Sequence, residues 1–213
     1  MDDDPQIVTL IGTLLGKRGY ATRTAYGGKE ALDILTKTRT VDMILLDVLM
    51  EPMSGWDTLD QIKKNPATGS IPVLMITGKK LSAAEAKQYN LAIDDYIMKP
   101  FLPADLYEAV DRIRDRKRNL KESLIQIKKA GVDREMFCEW ARLSNRISTS
   151  RKILGMLDVP QGTPELRDLD TLDDMLVVDY MNVRNHMDEK RVEQLQVEIN
   201  SAFRSKGLPE LTR

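Results

Sequence analysis

A small set of polar residues stands out because each one follows a run of apolar residues or lies close to the start of the chain. Three of them come at the ends of predicted strands, and two more form an acidic pair just before a helical pattern. In an open parallel α/β sheet, ligands bind at the edge where the carboxyl ends of the strands meet. We therefore expect one pocket that contains Asp2, Asp3, Asp47, Thr77 and Lys99.

These side-chain types are suited to phosphoryl transfer. Carboxylates that lie close together repel one another, and Mg²⁺, which prefers oxygen ligands, relieves that repulsion. One carboxylate can then attack phosphorus and form an aspartyl phosphate. The metal ion and a lysine neutralise charge on the phosphoryl oxygens, while a hydroxyl group and backbone N–H groups bond to them.

The elements that would position these residues alternate between strands and helices. Near-continuous apolar segments predict strands at residues 41–46, 71–76 and 96–98, with a weaker candidate at 21–25. Such strands are typical of parallel sheets that helices cover on both faces. Helical patterns lie near residues 4–18, 28–38, 54–65 and 82–90. The alternation predicts a doubly wound α/β domain.

Four motifs occur in order along this region. They are Asp2-Asp3-Asp4-Pro5, Leu45-Leu46-Asp47 with Met50 and Gly55 downstream, Ile76-Thr77-Gly78, and Tyr96-Ile97-Met98-Lys99-Pro100-Phe101. Asp47 precedes Thr77 by 30 residues, and Thr77 precedes Lys99 by 22. In these motifs and spacings, residues 1–116 resemble the receiver domains of bacterial and archaeal two-component response regulators. The resemblance implies a flavodoxin-like parallel sheet.

The resemblance also implies a phosphoacceptor and a metal site. Asp47 becomes the phosphoacceptor and a metal ligand. Mg²⁺ is then expected to contact Asp3 directly, Asp2 largely through water, and the backbone carbonyl of Leu49.

Three further residues match positions that act on the phosphoryl group or respond to it. The resemblance implies that Lys99 pairs with the phosphoryl group and that Thr77 supplies the hydroxyl that moves toward it. Tyr96 matches the aromatic side chain that turns inward together with Thr77.

The sequence departs from the family pattern at two places. Met50 is followed by Glu51, and the expected proline comes one position later, as Pro52. Glu51 adds negative charge at the rim of the site. The family's first strand, an apolar run before the acidic pair, is absent, and Met1 stands where its last residue is expected. We expect a start codon assigned too far downstream, or a trimmed chain, in preference to a receiver that naturally lacks this strand, because a gap would leave backbone groups of its neighbours unpaired.

The C-terminal half is predicted to be entirely helical. A helix begins at Pro103 and carries a heptad seam, Gly131 ends it, and Asp133 caps a second helix with a similar seam. The two seams are Leu106, Val110, Ile113, Leu120, Leu124 and Ile127, and then Met136, Trp140, Leu143, Ile147, Leu154 and Leu157.

Beyond the second helix, residues 160–164 predict a linker. Two more helices are expected near residues 170–187 and 189–204, with Asp188 capping the second. The predicted organisation is therefore a receiver domain at 1–116, an extended helix with a second heptad helix at 117–159, and a helical C-terminal region at 160–213.

Charge is unevenly distributed over this helical half. Residues 112–152 carry 13 Lys and Arg against 5 Asp and Glu, whereas residues 158–213 carry 7 against 12. Either these are two solvated helical faces, or the two segments pair with each other within or between chains. The net charge of the chain is −1, which argues against a protein that coats nucleic acid along its whole surface.

Three kinds of output remain open for this half. We favour a signalling module that forms a homodimer through the C-terminal helices and contacts an unidentified downstream protein. The alternative is a DNA-binding transcriptional regulator that uses the basic stretch 112–118, although no clear helix-turn-helix is visible. An enzymatic output has no supporting motif, and His186, the only histidine, is interpreted as an exposed helix-end residue.

Together these features predict a cytoplasmic response regulator whose partner is a sensor histidine kinase. We expect no enzymatic activity beyond the receiver's own phosphoryl transfer and hydrolysis, and no nucleic-acid or membrane partner. Cys138 is the only cysteine, so an intrachain disulfide is excluded. No apolar run reaches the roughly 18 residues that a membrane span needs.

Overall fold

The structure is a computed structural model that describes residues 1–38, 40–89, 92–157 and 169–211. The linker predicted at residues 160–164 lies outside these ranges. The chain divides into two compact units. One unit comprises Met1–Lys80 and Ala92–Ile113, and the other comprises Leu81–Leu91 and Arg114–Arg213.

The first unit contains a parallel sheet of three strands in the order β1-β2-β3. The strands are β1 (Ile44–Leu46), β2 (Val73–Thr77) and β3 (Asp95–Met98). They confirm the flavodoxin-like α/β fold and three of the predicted strand segments. The weaker candidate at residues 21–25 was wrong, because that segment forms no strand in the described sheet.

Helices accompany these strands as the alternation predicts. They are α1 (Pro5–Lys17), α2 (Gly28–Lys37), α3 (Gly55–Lys64), α4 (Ala83–Tyr89) and α5 (Pro103–Ala130). By contact, α4 belongs to the second unit, and α5 belongs to the first unit only as far as Ile113.

The core of the first unit forms because one face of the sheet is covered by α1 and the start of α5. Leu74, Ile76 and Ile97 point toward that face, since alternate residues of a strand share a face. They pack with four apolar residues that recur along α5, namely Leu106, Ala109, Val110 and Ile113. The first half of the α5 heptad seam is therefore buried within this unit.

Met1 and Asp2 lie beside β1. The backbone nitrogen of Met1 donates to the carbonyl of Leu45 at 3.0 Å, and its carbonyl accepts from the amide of Asp47 at 3.1 Å. The amide of Asp2 donates to the carbonyl of Ala25 at 3.3 Å. These bonds place the acidic pair directly next to the end of β1.

The second unit consists of helices. Gly131 ends α5 with a φ of 69°, a left-handed conformation that glycine adopts without strain. Asp133 then caps α6 (Arg134–Leu154), and its side chain accepts from the amide of Met136 at 2.9 Å. Both predictions at this turn are confirmed.

The core of the second unit buries part of both predicted seams, whereas Leu120 is exposed and Leu154 and Leu157 lie outside this core. It contains Ile127, Phe137, Trp140, Leu143 and Ile147. Four residues of α7 (Leu169–Ser205) pack into the same core: Val192, Leu195, Ile199 and Phe203.

The prediction of two helices separated at Asp188 was wrong, because α7 runs without interruption through that position. Asp188 is a buried residue of the helix interior, and it accepts a hydrogen bond from Nε of Arg146 at 2.6 Å. The carboxylate therefore serves an ion pair with α6 and not a helix cap. Neither glycine nor proline occurs near this position to end the helix.

Two ion pairs between α6 and α7 join a basic residue of segment 112–152 to an acidic residue of segment 158–213, which is the pairing within the chain that the uneven charge distribution left open. Arg146 pairs with Asp188, and Arg151 pairs with Glu189. A third pair, Arg191 with Glu139, has the opposite sense. In the ranges that the structure describes, no helix is both long and apolar enough to cross a membrane.

Candidate functional site

The predicted acidic and cationic residues meet at the carboxyl ends of the strands. Lys99 Nζ lies 2.6 Å from Asp2 Oδ2 and 2.7 Å from Asp47 Oδ2. Asp2 is 2% exposed and Asp47 is 5% exposed, so Lys99 joins two buried carboxylates. Charge-assisted bonds of this length, formed away from water, hold all three side chains in place.

The strands account for this convergence. Asp47 follows β1 and Lys99 follows β3, and the amide of Lys99 donates to the carbonyl of Thr77, the last residue of β2, at 2.9 Å. Asp47 Oδ1 also accepts from the amide of Leu49 at 3.2 Å. The Asp47 carboxylate is thus held by Lys99 through one oxygen and by its own loop through the other.

The surroundings of Lys99 keep its side chain charged. Burial lowers the pKa of Lys99, but the hydrogen bonds and negative charges of Asp2 and Asp47 outweigh it, so the pKa lies above its ordinary value of 10.5. The ammonium group is therefore retained at neutral pH and offers a fixed positive charge beside Asp47.

The acidic residues offer a donor set for a divalent cation. One carboxylate oxygen from each of Asp2, Asp3 and Asp47 lies within 4.8 Å of the others. Asp3 is exposed, whereas Asp2 is buried and its Oδ1 accepts from the amide of Asp4 at 3.1 Å. Three oxygen donors with one open to solvent fit Mg²⁺, which keeps several waters when bound to proteins. Leu49 lies next to this set through its amide, and the metal contact of its carbonyl stays a prediction.

Thr77 and Tyr96 are both buried, and both bond to the backbone of Lys79. Thr77 Oγ1 accepts from the amide of Lys79 at 3.2 Å, and the Tyr96 hydroxyl donates to the carbonyl of Lys79 at 2.6 Å. The predicted pair is therefore joined through one residue of the loop after β2. The roles of both residues as switch residues stay predictions.

The sequence did not reveal the structural importance of Gly55, which appeared only as a motif residue. A Cβ atom at Gly55 would lie 1.9 Å from the carbonyl oxygen of Asp47, so only glycine fits against the loop of the site. The sequence also gave no sign that Asp95 is a buried carboxylate, paired with Arg112 at 2.9 Å. Both features arise from contacts between consecutive elements of the fold, which no local residue pattern displays.

Comparison with known proteins points to the same region. Residues 1–111 match the family model of the response regulator receiver domain. A probable transcriptional regulator of Cyanidium caldarium is 35% identical over 123 residues, which cover 57% of this chain and 48% of that protein. A probable cyclic di-GMP phosphodiesterase of Vibrio cholerae is 38% identical over 100 residues, covering 47% of this chain and 22% of that protein.

Among solved structures, the N-terminal domain of a response regulator receiver protein from Methanoculleus marisnigri is 49% identical to this chain. The match covers 52% of this chain and 89% of that one, with a TM-score of 0.44. The chain spans about half the length, or less, of the curated relatives it matches. Because the receiver model matches more than half of the sequence, this chain belongs to the response regulator receiver domain family.

Proposed function

We propose that this protein is the phosphoacceptor of a phosphorelay and that Asp47 takes the phosphoryl group. Receiver domains interact with sensor histidine kinases, and such a kinase is the proposed donor. The observation that carries the proposal is the position of Lys99 Nζ, 2.7 Å from Asp47 Oδ2 and 2.6 Å from Asp2 Oδ2.

In the proposed step, a carboxylate oxygen of Asp47 forms a bond to phosphorus. The bond between phosphorus and the kinase imidazole nitrogen breaks, and that nitrogen keeps the electron pair. The ammonium group of Lys99 already lies beside the attacking carboxylate and donates to it. It can therefore donate to a phosphoryl oxygen instead once that group is bonded to Asp47. Its positive charge then offsets the negative charge that the phosphoryl group brings.

Receiver domains generally bind Mg²⁺ through acidic residues, and Asp2, Asp3 and Asp47 would hold it here, with the Leu49 carbonyl as a further proposed ligand. When bound, the ion supplies positive charge to the phosphoryl oxygens. Asp3 is the exposed member of the set, so a divalent ion would reach its carboxylate from solvent. Asp2 is already bonded to Lys99 and to the amide of Asp4, which supports a contact through water.

We further propose that the helical unit is the output and that it acts as a homodimer on a downstream protein, in the cytosol. The proposal includes no enzymatic output, so the only chemistry expected is phosphoryl transfer to Asp47 and hydrolysis of the product. Support comes from the compact helical core that α5, α6 and α7 form outside the receiver unit, and from the exposed apolar residues that α7 keeps at its surface.

A DNA-binding output is the second candidate, because one relative is named a probable transcriptional regulator. The basic stretch of α5 gives it limited support, since Arg112 pairs with Asp95, and Arg114 and Arg118 pair with Asp115. Binding to a random duplex that weakens steeply with salt would favour this candidate over the protein-interaction module.

The phosphoacceptor role can be tested with a small phosphodonor such as phosphoramidate in the presence of Mg²⁺. The wild-type protein is expected to gain one acid-labile phosphoryl group, detected by intact mass, and Asp47→Asn is expected to gain none. Asp60→Asn, which removes a half-exposed carboxylate of α3 away from the site, is the matched control and should behave as wild type. Accumulation of label on Asp47→Asn at the wild-type level would reject the assignment.

A further inference from the structure

Helix α7 carries two apolar stripes on different faces. One stripe is buried in the second unit and includes Met181, Val192, Leu195, Ile199 and Phe203. The other consists of Leu176, Tyr180, Val183 and Met187, whose steps of four, three and four residues follow the heptad spacing.

The second stripe is exposed along its whole length. Leu176 is 58% exposed, Val183 is 61% exposed and Met187 is 67% exposed. Of the eleven large apolar side chains that are exposed in the described ranges, five lie on α7 and the others are scattered over five elements or loops. Tyr180 belongs to the stripe, and Lys87 Nζ lies 4.8 Å from the centroid of its ring. A contiguous apolar row of this kind marks an interaction surface, whereas single exposed apolar residues do not.

The seams of α5 and α6 offer no continuous exposed row, because most of their members pack within the chain and Leu120 is their one exposed member in the described ranges. Leu106, Val110 and Ile113 are buried in the first unit, and Ile127 is buried in the second. Trp140 of α6 is buried in the same core of the second unit. The stripe on α7 is the heptad seam whose members remain exposed together.

We propose that residues 176–187 of α7 form a parallel two-stranded coiled coil with a second copy of this chain. The inference deepens the homodimer of the proposed function, on which it rests, by assigning its contact surface. With Tyr180 and Met187 at one core position and Leu176 and Val183 at the other, identical residues meet across a two-fold axis. The seam is roughly 17 Å long at 1.5 Å per residue.

The charges beside the seam fit a second copy in the parallel orientation. Asp179 directly precedes Tyr180, and Arg184 directly follows Val183. At these flanking positions of a parallel pair, Asp179 faces the partner's Arg184, and the symmetry gives the same contact twice. The antiparallel orientation does not bring these two residues together.

The charges and polar residues farther along α7 limit the seam to this segment. The next two core positions are occupied by Lys190 and Gln194. The flanking residues there, Glu193 and Glu198, would face like charges in a parallel pair. The contact is therefore confined to residues 176–187.

The test measures the mass of the full chain by light scattering and sedimentation over a range of concentrations, without a phosphodonor. The wild-type protein is expected to be a dimer, and Val183→Lys is expected to raise the dissociation constant at least about tenfold. Val197→Lys is the matched control, because Val197 is the same residue type on the same helix, is 64% exposed and lies beyond the seam. A monomeric wild-type protein, or equal losses in both variants, would overturn the proposal.

Three further experiments address the orientation of the helices and the identity of the partner. Asp179→Arg and Arg184→Asp should each weaken the dimer, and the double variant should restore it. In a Cys138→Ser background, Val183→Cys should form an intermolecular disulfide only if the helices are parallel. Binding to phosphatidylcholine–phosphatidylglycerol vesicles by a monomer would instead assign the stripe to a membrane surface and reject the proposal. All of these experiments use unphosphorylated protein, so their failure leaves the role of Asp47 untouched.

Discussion

The hydroxyl groups of Thr77 and Tyr96 bond to opposite ends of one residue, Lys79. Lys79 donates its amide to Thr77 Oγ1 at 3.2 Å, and its carbonyl accepts from the Tyr96 hydroxyl at 2.6 Å. Because both side chains are buried, neither hydroxyl can move and keep its bond unless the backbone of Lys79 moves with it. If Thr77 keeps this bond as it moves toward a phosphoryl group, Lys79 moves with it. The bond from Tyr96 and the segment that leads to α4 would then be displaced as well.

The first prediction compares Tyr96→Phe with Tyr107→Phe. Each change removes one hydroxyl that donates to a backbone carbonyl, of Lys79 at 2.6 Å and of Leu14 at 3.2 Å. Tyr96 is 1% exposed, so Tyr96→Phe deprives a carbonyl of its donor in a place that water does not reach. We expect a loss of about 1–3 kcal/mol in the free energy of unfolding for Tyr96→Phe and less than about 1 kcal/mol for Tyr107→Phe. Urea denaturation measures both, and equal losses would contradict a special constraint at Tyr96.

The second prediction concerns Lys99→Met. This change leaves Asp2 and Asp47 buried and facing each other without their common cation. Removal of one partner from a buried ion pair typically costs about 3–5 kcal/mol, and we expect a loss near the lower end because Lys99 is partly exposed. Mg²⁺ should recover part of the loss in Lys99→Met and have a smaller effect on wild type. Urea denaturation with EDTA or Mg²⁺ tests this, and a variant as stable as wild type in EDTA would refute it.

The raised pKa of Lys99 also predicts a pH dependence. A lysine with a higher pKa in the folded state stabilises the fold below its unfolded pKa, near 10.5, and this contribution is lost as pH rises through the folded pKa. The stability of wild type should therefore fall more steeply than that of Lys99→Met above pH 10.5. Parallel curves would show that the bonds to Asp2 and Asp47 add no pH-dependent stability.

The third prediction concerns Gly55→Ala, with Gly16→Ala as its control. The new Cβ at residue 55 would lie 1.9 Å from the Asp47 carbonyl oxygen, so the start of α3 or the loop of the site must shift. We expect destabilisation of about 2 kcal/mol or more and slower phosphorylation by phosphoramidate. A Cβ at Gly16 of α1 meets nothing within 4 Å, so alanine there should stabilise the helix by about 0.5–1 kcal/mol. Thermal unfolding and labelling rates decide the matter, and an unaffected Gly55→Ala would show that the site loop adapts freely.

The receiver site was accessible to sequence reasoning because its residues follow apolar strands. A strand fixes the position of the residue at its carboxyl end, so the sequence alone assigns Asp47, Thr77 and Lys99 to one edge of the sheet. Gly55 could not be recognised in the same way, because its importance depends on the distance between α3 and the carbonyl of Asp47. The bonds to Lys79 escaped prediction for the same reason, since backbone contacts leave no residue pattern.

The helical half was predicted less completely because its decisive interactions are made between helices. Aspartate is a residue type expected at a helix cap. The Asp188 carboxylate is instead bonded to Arg146 of α6, and α7 continues through this position. Tertiary pairing thus overrides the local preference of aspartate for helix starts. The seam of α5 was identified correctly as apolar, but periodicity alone does not say whether the chain itself or a second copy covers it.

The fourth prediction compares Asp188→Asn with Glu189→Gln. Both residues pair with an arginine of α6, but the Asp188 side chain is largely buried with Arg146, whereas Arg151 beside Glu189 is mostly exposed. Loss of a charge from the buried pair should cost about 3 kcal/mol, and loss from the exposed pair less than about 1 kcal/mol. Urea denaturation of the full chain gives both values. Equal and small losses would show that the Arg146–Asp188 pair is solvated in solution.

The last prediction concerns the part of α5 between residues 114 and 122, whose side chains are mostly exposed. Ion pairs within the helix support it, including Arg118 with Asp115 at 3.3 Å and with Glu122 at 4.0 Å. Since α5 contains 28 residues without an internal glycine or proline, it is a stiff element that can transmit a displacement. Phosphorylation of Asp47 can alter the dimer only if the phosphoryl group stabilises one conformation of this part of α5 more than another.

Insertion of two glycines after Arg116 should therefore uncouple the halves, because each glycine weakens the helix by about 1 kcal/mol. Phosphorylation by phosphoramidate and the dimer itself should persist, while the change in dimer affinity on phosphorylation should disappear. A variant with alanine in place of both Arg116 and Lys117 keeps the helix and its length, and it should retain the coupling. Sedimentation of each protein with and without phosphoramidate gives the comparison. If the dimer of the glycine variant still responded to phosphorylation, the signal would have to leave the receiver through another face, and transmission along α5 would be excluded.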